Sequence, residues 1–366
     1  MEYECLVCGF KSSEPGLCPR CRIPLMLKLN VRQFKLRELP GIWKFIDALP
    51  RPKRLVSLGE GFTRVIKVNG IYVKYEGSNP TGTHYDRGSA VLASTADMEF
   101  AELAFEEDLT RSLALYLSSA GIKVNVSIGD DADPRDVISL VKMGANICVG
   151  CSLKSMVSYF NPLLMEGYKT IAYELAIQLR DRLTAVAIPV ERGSLILSLI
   201  KGFMELEDLG LLPNMPKITA SLLGEIDSNL QDSLKNLGVR LIHVKPDDAL
   251  NAVVELARRR IWAKPISASP YVALKGTVNE GVAVISGYSK IRINIGQIKG
   301  EGRLQRIIVD AMPKGRPMTA YEVWKLVGSG TLMGVYKALN SLAAKGVVKV
   351  VEGVNGRRKV RYYIKP

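Results

Sequence analysis

Residues 74–88 read KYEGSNPTGTHYDRG. The stretch surrounds the turn-forming Asn79-Pro80-Thr81-Gly82 with Lys74, Glu76, His84, Tyr85, Asp86 and Arg87. Downstream, short β-branched apolar runs recur: VNVSI (124–128), NICVG (146–150), AVAIPV (185–190) and RLIHV (240–244). Helical segments alternate with them, at 170–181 and 194–209 among others. Alternation of this kind predicts an α/β body with a parallel sheet covered by helices on both faces.

At 366 residues the chain has room for two or three domains, and 47% hydrophobic with 23% charged residues is an ordinary globular balance. No uncharged apolar run reaches the ~18 residues of a membrane-spanning helix. The N-terminus MEYECLVCGF lacks the basic and apolar regions of a signal peptide, so a cytoplasmic protein with no membrane partner is expected. The net charge of +14 is uneven. Residues 301–366 carry 13 Lys and Arg against 4 Asp and Glu, whereas the long middle of the chain is nearly neutral. A basic end on a neutral body predicts a polyanionic partner for that end; a solvated charged surface is the plainer alternative. Few glutamines, two histidines and abundant Ile, Val, Lys and Arg fit a thermophile.

The 74–88 stretch closely resembles the threonine synthase segment K-x-E-x-x-N-P-T-G-S-F-K-D-R-G. Further resemblance to that family lies in GIWKFIDALP (41–50), LVSLGEGFTRVIKV (55–68), NPLLMEGYKTIAYELAIQL (161–179) and TAVAIPVERGSLILSLIKGFMELEDLGLL (184–212). It covers residues 41–300. It implies a two-lobed, open, parallel-sheet body of the tryptophan synthase β-like (fold-type II) kind, with a pyridoxal-phosphate cleft between the lobes. It also implies a homodimer.

Against the family pattern, three elements of the cofactor site are altered. The lysine that forms the Schiff base aligns with Tyr85, preceded by His84 in place of Phe, and a phenol cannot form an imine with an aldehyde. The loop that contacts the cofactor ring falls in ELAFEEDLT (102–110), where Glu106-Glu107-Asp108 replaces a Gly-Asn backbone. The glycine-rich phosphate loop reads Glu191-Arg192-Gly193-Ser194-Leu195. A phosphate cradle needs bare N–H groups at a helix N-terminus. The Glu191 carboxylate at ~4 Å from a phosphate would cost on the order of 4 kcal/mol per unit-charge pair. Pyridoxal phosphate is therefore not expected. His84, Tyr85, Asp86 and Glu191 are read as a degenerate site without catalytic residues. The acidic residues would suit a cationic or neutral small-molecule effector, if the cleft holds one.

Cys5-x-x-Cys8 and Cys18-x-x-Cys21 form two knuckles whose four thiolates can converge on one Zn²⁺. Four ligands close the site, so a structural zinc ribbon over 1–29 is expected. Many archaeal threonine synthase-like proteins begin with such a ribbon. Cys148 and Cys151, which follow an apolar run with no second pair to complete a metal site, are read as buried strand-end thiols.

Residues 301–366 extend beyond the resemblance. A helix is expected over 301–312, then Thr319 with Glu322 as a capping box before AYEVWKLV, a break at Gly328-Ser329-Gly330, and a helix over 331–345. Strands at 347–352 and 359–365 flank the hairpin signal Asn355-Gly356. This is the order of a winged helix-turn-helix, and the segment resembles archaeal regulators of that type. In the last helix Leu332, Val335, Leu339 and Leu342 are expected to point inward. Met333, Lys337, Asn340 and Ser341, with Tyr336 beside them, would enter a major groove of double-stranded DNA. Arg357, Arg358, Lys359 and Arg361 on the wing would meet phosphates.

The domains expected are thus a zinc ribbon (1–29), an α/β body (30–300) and a winged helix-turn-helix (301–366). The function expected is a DNA-binding transcriptional regulator on a catalytically inactive scaffold that senses a ligand or dimerises. The alternative is an active pyridoxal-phosphate lyase with an appended domain. A third possibility is a structural subunit of a nucleic-acid assembly.

Overall fold

The computed structural model describes residues 1–32, 34–130, 132–153, 155–275, 281–288, 303–328, 331–355 and 358–366. The chain divides into two units, Met1–Ile291 and Arg292–Pro366.

The first unit opens with three short antiparallel strands, β1 (Tyr3–Glu4), β2 (Lys11–Ser12) and β3 (Met26–Leu27), ordered β2-β1-β3. The hydrophobic cluster that contains Cys5, Cys18, Ile23 and Met26 also contains Trp43, Leu164 and Ile196, so residues 1–29 share the core of the body.

The body follows as β4 (Val65–Val68), β5 (Ile71–Tyr75), α1 (Tyr85–Thr95), β6 (Phe100–Ala104), α2 (Glu107–Ser119), β7 (Lys123–Ile128), α3 (Pro134–Lys142) and β8 (Ala145–Val149). Next come α4 (Pro162–Tyr168), α5 (Thr170–Leu179), β9 (Ala185–Val190), α6 (Ser194–Asp208) and β10 (Lys217–Leu222). The series closes with α7 (Ser228–Asn236), β11 (Arg240–His243), α8 (Pro246–Ala257), α9 (Pro265–Leu274) and β12 (Val282–Ile285). Two sheets result. The larger has the order β11-β10-β9-β12-β5-β4 and is parallel except where β4 meets β5; the smaller is the parallel β6-β7-β8. This is the expected two-lobed fold-type II body. β9 and β12 are buried along their whole length, which their unbroken apolar runs require, and β5 is buried throughout with Lys74 included.

Local chemistry fixes the helix that carries the opening motif. Asn161 caps α4 through Oδ1, which accepts from Leu163 N at 2.9 Å, and Pro162 occupies the first turn, where its missing N–H is harmless. α4 then packs against α1 glycine to glycine. A Cβ on Gly88 would stand 2.6 Å from the Tyr168 ring, and one on Gly167 would overlap the Arg87 carbonyl. The two glycines let the helices touch backbone to backbone.

The second unit contains α10 (Arg303–Ala311), β13 (Met318–Thr319), α11 (Ala320–Val327), α12 (Leu332–Ala344), β14 (Lys349–Asn355) and β15 (Arg358–Ile364). Its sheet order is β13-β15-β14, all antiparallel. Thr319 and Glu322 form a reciprocal capping box at the start of α11. The core is Ile308, Val323, Val335, Leu339, Leu342 and Tyr363. Leu332, read from the sequence as inward, is 41% exposed, because it lies in the first turn of α12. The boundary at 300/301 and residues 329–330 lie outside the described residues.

Candidate functional site

The motif runs off the buried end of β5 into a turn and then straight into α1. Its charged residues face inward. Arg87, fully buried, donates through Nε to Glu76 Oε2 at 2.6 Å and through Nη2 to Glu76 Oε1 at 2.9 Å. It also donates to both oxygens of Glu174, at 2.5 and 2.8 Å, and to Thr170 Oγ1 at 3.0 Å. Lys74 Nζ, on β5, reaches Glu174 Oε2 at 2.5 Å and Gln178 Oε1 at 2.9 Å. Burial pushes the Glu174 carboxyl up, but Arg87 and Lys74 outweigh it and hold the group down at about 2. Lys74, Glu76, Arg87 and Glu174 therefore form a closed, desolvated network that ties β5 to α1 and α5.

Asp86 is likewise turned inward. It accepts from Thr81 N at 2.6 Å, Thr81 Oγ1 at 2.5 Å and Ser112 Oγ at 2.7 Å, and burial raises it to about 7 despite those bonds. His84 is 6% exposed, with Nδ1 3.2 Å from the Ser286 carbonyl; burial lowers it to about 4, so the ring is neutral near pH 7.

Tyr85 faces a cleft of about 400 Å³. Its ring lies 4.1 Å from that of His84, 5.8 Å from Tyr159 and 6.0 Å from Tyr168, and burial holds the phenol well above its ordinary value. Phe105 and Glu106–Asp108, at the junction of β6 and α2, line another wall. Among the described residues, Glu106 Oε2 is buried there with no hydrogen-bond partner. Glu191 and Arg192, between β9 and α6, line a third, and the Arg192 guanidinium sits 4.4 Å from the Tyr159 ring centre. Gly193, at φ +94°, turns the chain into α6. Lys264 closes the cleft with ion pairs to Glu107 at 2.9 Å and Asp108 at 2.6 Å. Burial acts to lower Lys264, but those carboxylates prevail and raise it. No local pattern in the sequence marks Tyr159 or Lys264: each belongs to the cleft only through contacts remote in the chain.

A family model for pyridoxal-phosphate dependent enzymes matches residues 56–287, more than half of the chain. The chain belongs to the pyridoxal-phosphate dependent enzyme family. Threonine synthase of Methanosarcina acetivorans is 28% identical over 261 residues, 59% of this chain and 63% of that protein. Threonine synthase of Methanocaldococcus jannaschii is 29% identical over 229 residues, 52% of this chain and 55% of that protein. The chain thus spans less than two thirds of either relative. Among solved structures, threonine deaminase isoform 2 of Solanum lycopersicum superposes with a TM-score of 0.51 at 16% identity, over 59% of this chain and 74% of that one. Diaminopropionate ammonia lyase of Escherichia coli, in its apo form, superposes at 0.52 with 12% identity, over 65% and 85%. These two likenesses concern the fold alone.

The residues present do not fit the family's cofactor held as a covalent imine. Tyr85 offers a hydroxyl. Lys264, the one lysine among the described residues that line the cleft, is held as an ammonium by two carboxylates. Glu191 stands at the N-terminus of α6, where an anion would otherwise be welcome.

At the N-terminus of this unit, the sulfurs of Cys5, Cys8, Cys18 and Cys21 all lie within 4.8 Å of one another. The two knuckles repeat one turn: Gly9 N donates to Cys5 O at 3.0 Å, and Arg22 N donates to Cys18 O at 2.9 Å. The arrangement can hold one tetrahedral metal ion. Cys148 and Cys151 are not the buried thiols expected. β8 is an edge strand with a largely exposed face; Cys148 is exposed, Cys151 half-buried, and their Cα atoms stand 5.8 Å apart.

In the second unit Met333, Tyr336 and Lys337 are exposed on α12, and Ser341 is half-buried. Asn340 differs from the expectation of a free groove-reading amide: it is half-buried, and its Oδ1 accepts from Tyr363 of β15 at 2.8 Å. Arg361 is exposed and lies 3.6 Å from Glu352 across the β14–β15 pair. Arg357 and the side chains of Arg358 and Lys359 lie outside the described residues.

Proposed function

We propose that this chain is a DNA-binding transcriptional regulator, built on a threonine synthase-like scaffold that does not perform the family's covalent chemistry. The observation that carries the reading is Tyr85 in the lining of the cleft, with Lys264 there paired to Glu107 and Asp108. Without an imine-forming amine, the cleft is a seat for a small molecule rather than a reaction centre. Its lining favours a cation: Glu106, Glu107, Asp108 and Glu191 outnumber Arg192 and Lys264, and His84 is neutral.

The second unit supplies the readout. We read its order of helix, short strand, two helices and hairpin as a winged helix-turn-helix. The exposed Met333, Tyr336 and Lys337 would enter a major groove, and Arg361 with Arg357, Arg358 and Lys359 would lie along the phosphates. A homodimer would present two such helices to a palindromic site.

Two measurements test the reading together. The purified full chain should show no absorbance band of an internal aldimine and no borohydride-fixed label on the polypeptide. It should bind double-stranded DNA in fluorescence anisotropy, with affinity that falls steeply with salt. The relatives' name favours the other reading, an active lyase. A coloured protein that retains label after borohydride reduction would establish that reading and end ours.

A further inference from the structure

The Cys148–Cys151 pair is absorbed neither by the cleft nor by the cysteine cluster at the N-terminus. Cys148 lies one residue before the end of β8, paired with Ser127 of β7, and it is exposed. Gly150 then takes a left-handed turn at φ +69°, and its N–H donates to Ile128 O at 2.9 Å. A side chain at 150 would be strained, and its Cβ would stand 3.0 Å from Asp130 Oδ1. The turn brings Cys151 back beside Cys148, with Cα atoms 5.8 Å apart, inside the range a disulfide spans. A bond between them would close a loop of four residues, the kind of cross-link that restricts an unfolded chain least, so stapling the fold would be a poor account of it.

The chain after Cys151 leads to the cleft. Ser127 Oγ donates to the Cys151 carbonyl, Met156 N donates to Glu102 O at 2.8 Å, and Val157 is buried at 3% exposure. Two residues on, Tyr159 forms the cleft wall between Tyr85 and Arg192.

We infer that Cys148 and Cys151 are a reversible thiol–disulfide couple, a redox modification site whose state sets how firmly the chain leading to Tyr159 is held against the cleft. The oxidant is a low-molecular-weight disulfide. The Cys148 thiolate, the accessible one, attacks one sulfur of the reagent; the reagent's S–S bond breaks and its second sulfur leaves as a thiol, taking up a proton. The Cys151 thiolate then attacks the Cys148 sulfur of the mixed disulfide and expels the second reagent thiol, which is also protonated. Two electrons and two protons pass from the cysteine pair to the reagent, and the reverse sequence with two reagent thiols restores the pair. The couple is independent of the cofactor question and of DNA binding.

The test uses the full, metal-loaded chain equilibrated across a series of oxidised-to-reduced glutathione ratios, quenched in acid, alkylated and digested with trypsin. Cleavage after Lys142 and Lys154 yields one peptide, MGANICVGCSLK, that holds both cysteines. We expect a single switch from the doubly alkylated peptide to one lacking two hydrogens, with singly modified forms minor throughout. Cys151→Ser should accumulate a glutathione adduct on Cys148. Reduction should speed hydrogen exchange at 155–159 by about tenfold while β7 and β9 stay unchanged. A peptide that remains doubly alkylated at every ratio overturns the couple, as do wild-type glutathione adducts that never close to the internal bond. A complete switch with no change in exchange at 155–159 overturns the link to the cleft.

Discussion

Replacing Arg87 by leucine tests whether the 74–88 stretch persists for packing rather than for chemistry. The substitution removes hydrogen bonds to Glu76, Glu174, Thr170 and Thr63 at once. Of the two fully buried carboxylates, Glu174 keeps its ion pair with Lys74, while Glu76 keeps hydrogen bonds from Thr63 and Asn79 but loses its paired cation. Breaking a buried pair by removing one partner costs about 3–5 kcal/mol, out of a typical total of about 5–15 kcal/mol. The arginine side chain is fully enclosed, and leucine would not fill its volume, which adds to the loss. Arg87→Lys keeps the charge but loses the planar fork that serves both carboxylates, and an intermediate loss of about 1–3 kcal/mol follows. Tyr85→Phe, one residue earlier and facing the cleft, should change stability by less than about 1 kcal/mol. Urea unfolding can be followed through Trp43, a buried indole whose Nε1 donates to Val56 O at 2.8 Å. With a slope of about 1–3 kcal/mol per molar urea, the Arg87→Leu midpoint should fall by at least about 1 M. An Arg87→Leu protein within about 1 kcal/mol of wild type, or a Tyr85→Phe protein as damaged as Arg87→Leu, would refute the reasoning.

Three further outcomes are expected. One zinc ion per chain should be found by elemental analysis of native protein, and Cys18→Ser should lower the melting temperature of the whole first unit, since Cys18 lies in its main core; native protein without zinc would exclude the ribbon. Asp86, raised from 3.8 to about 7, stabilises the fold at low pH and loses that contribution as pH rises through about 7, whereas His84, lowered from 6.5 to about 4, stabilises it above 6.5 and loses that as pH falls through about 4. Relative to wild type, Asp86→Asn should therefore gain stability and His84→Asn lose it as urea midpoints are taken from pH 4 to 7; parallel curves would contradict both assignments. In anisotropy titrations of the full chain, Arg361→Glu should weaken binding to all duplexes alike and flatten the salt dependence; Asn340→Ala should instead destabilise the second unit by about 1 kcal/mol through loss of the Tyr363 bond, with sequence preference unchanged.

The body was legible because its signals are local. Unbroken apolar runs such as AVAIPV mark strands buried on both faces, and β9 is buried throughout. Asn161-Pro162 and Thr319-x-x-Glu322 announce helix starts by capping chemistry confined to a few residues. What escaped the sequence depends on distant neighbours. Lys264 is committed to Glu107 and Asp108 across more than 150 positions, and Tyr363 meets Asn340 only when β15 folds back on α12. Cys148 follows an apolar run that reads as buried, yet β8 is an edge strand, and the number of strands beyond it is a property of the sheet. Leu332 fits the inward stripe by periodicity, but the first turn of a helix overhangs the core it leads into.

Helical geometry explains how one motif can serve the buried core and the cleft at once. Successive residues on α1 point about 100° apart, so Tyr85 faces the cleft, Asp86 faces Thr81 and Ser112, and Arg87 faces Glu76 and Glu174. The two inward residues are bound into buried networks that this core must satisfy, whatever happens in the cleft. The residue at 85 has no such obligation: its phenol contributes ring contacts to His84, Tyr159 and Tyr168 and no charge. Stability and reactivity thus rest on adjacent residues of the same turn without resting on each other. That separation leaves Asp86 and Arg87 to hold the fold while a phenol, which cannot form an imine, faces the cleft.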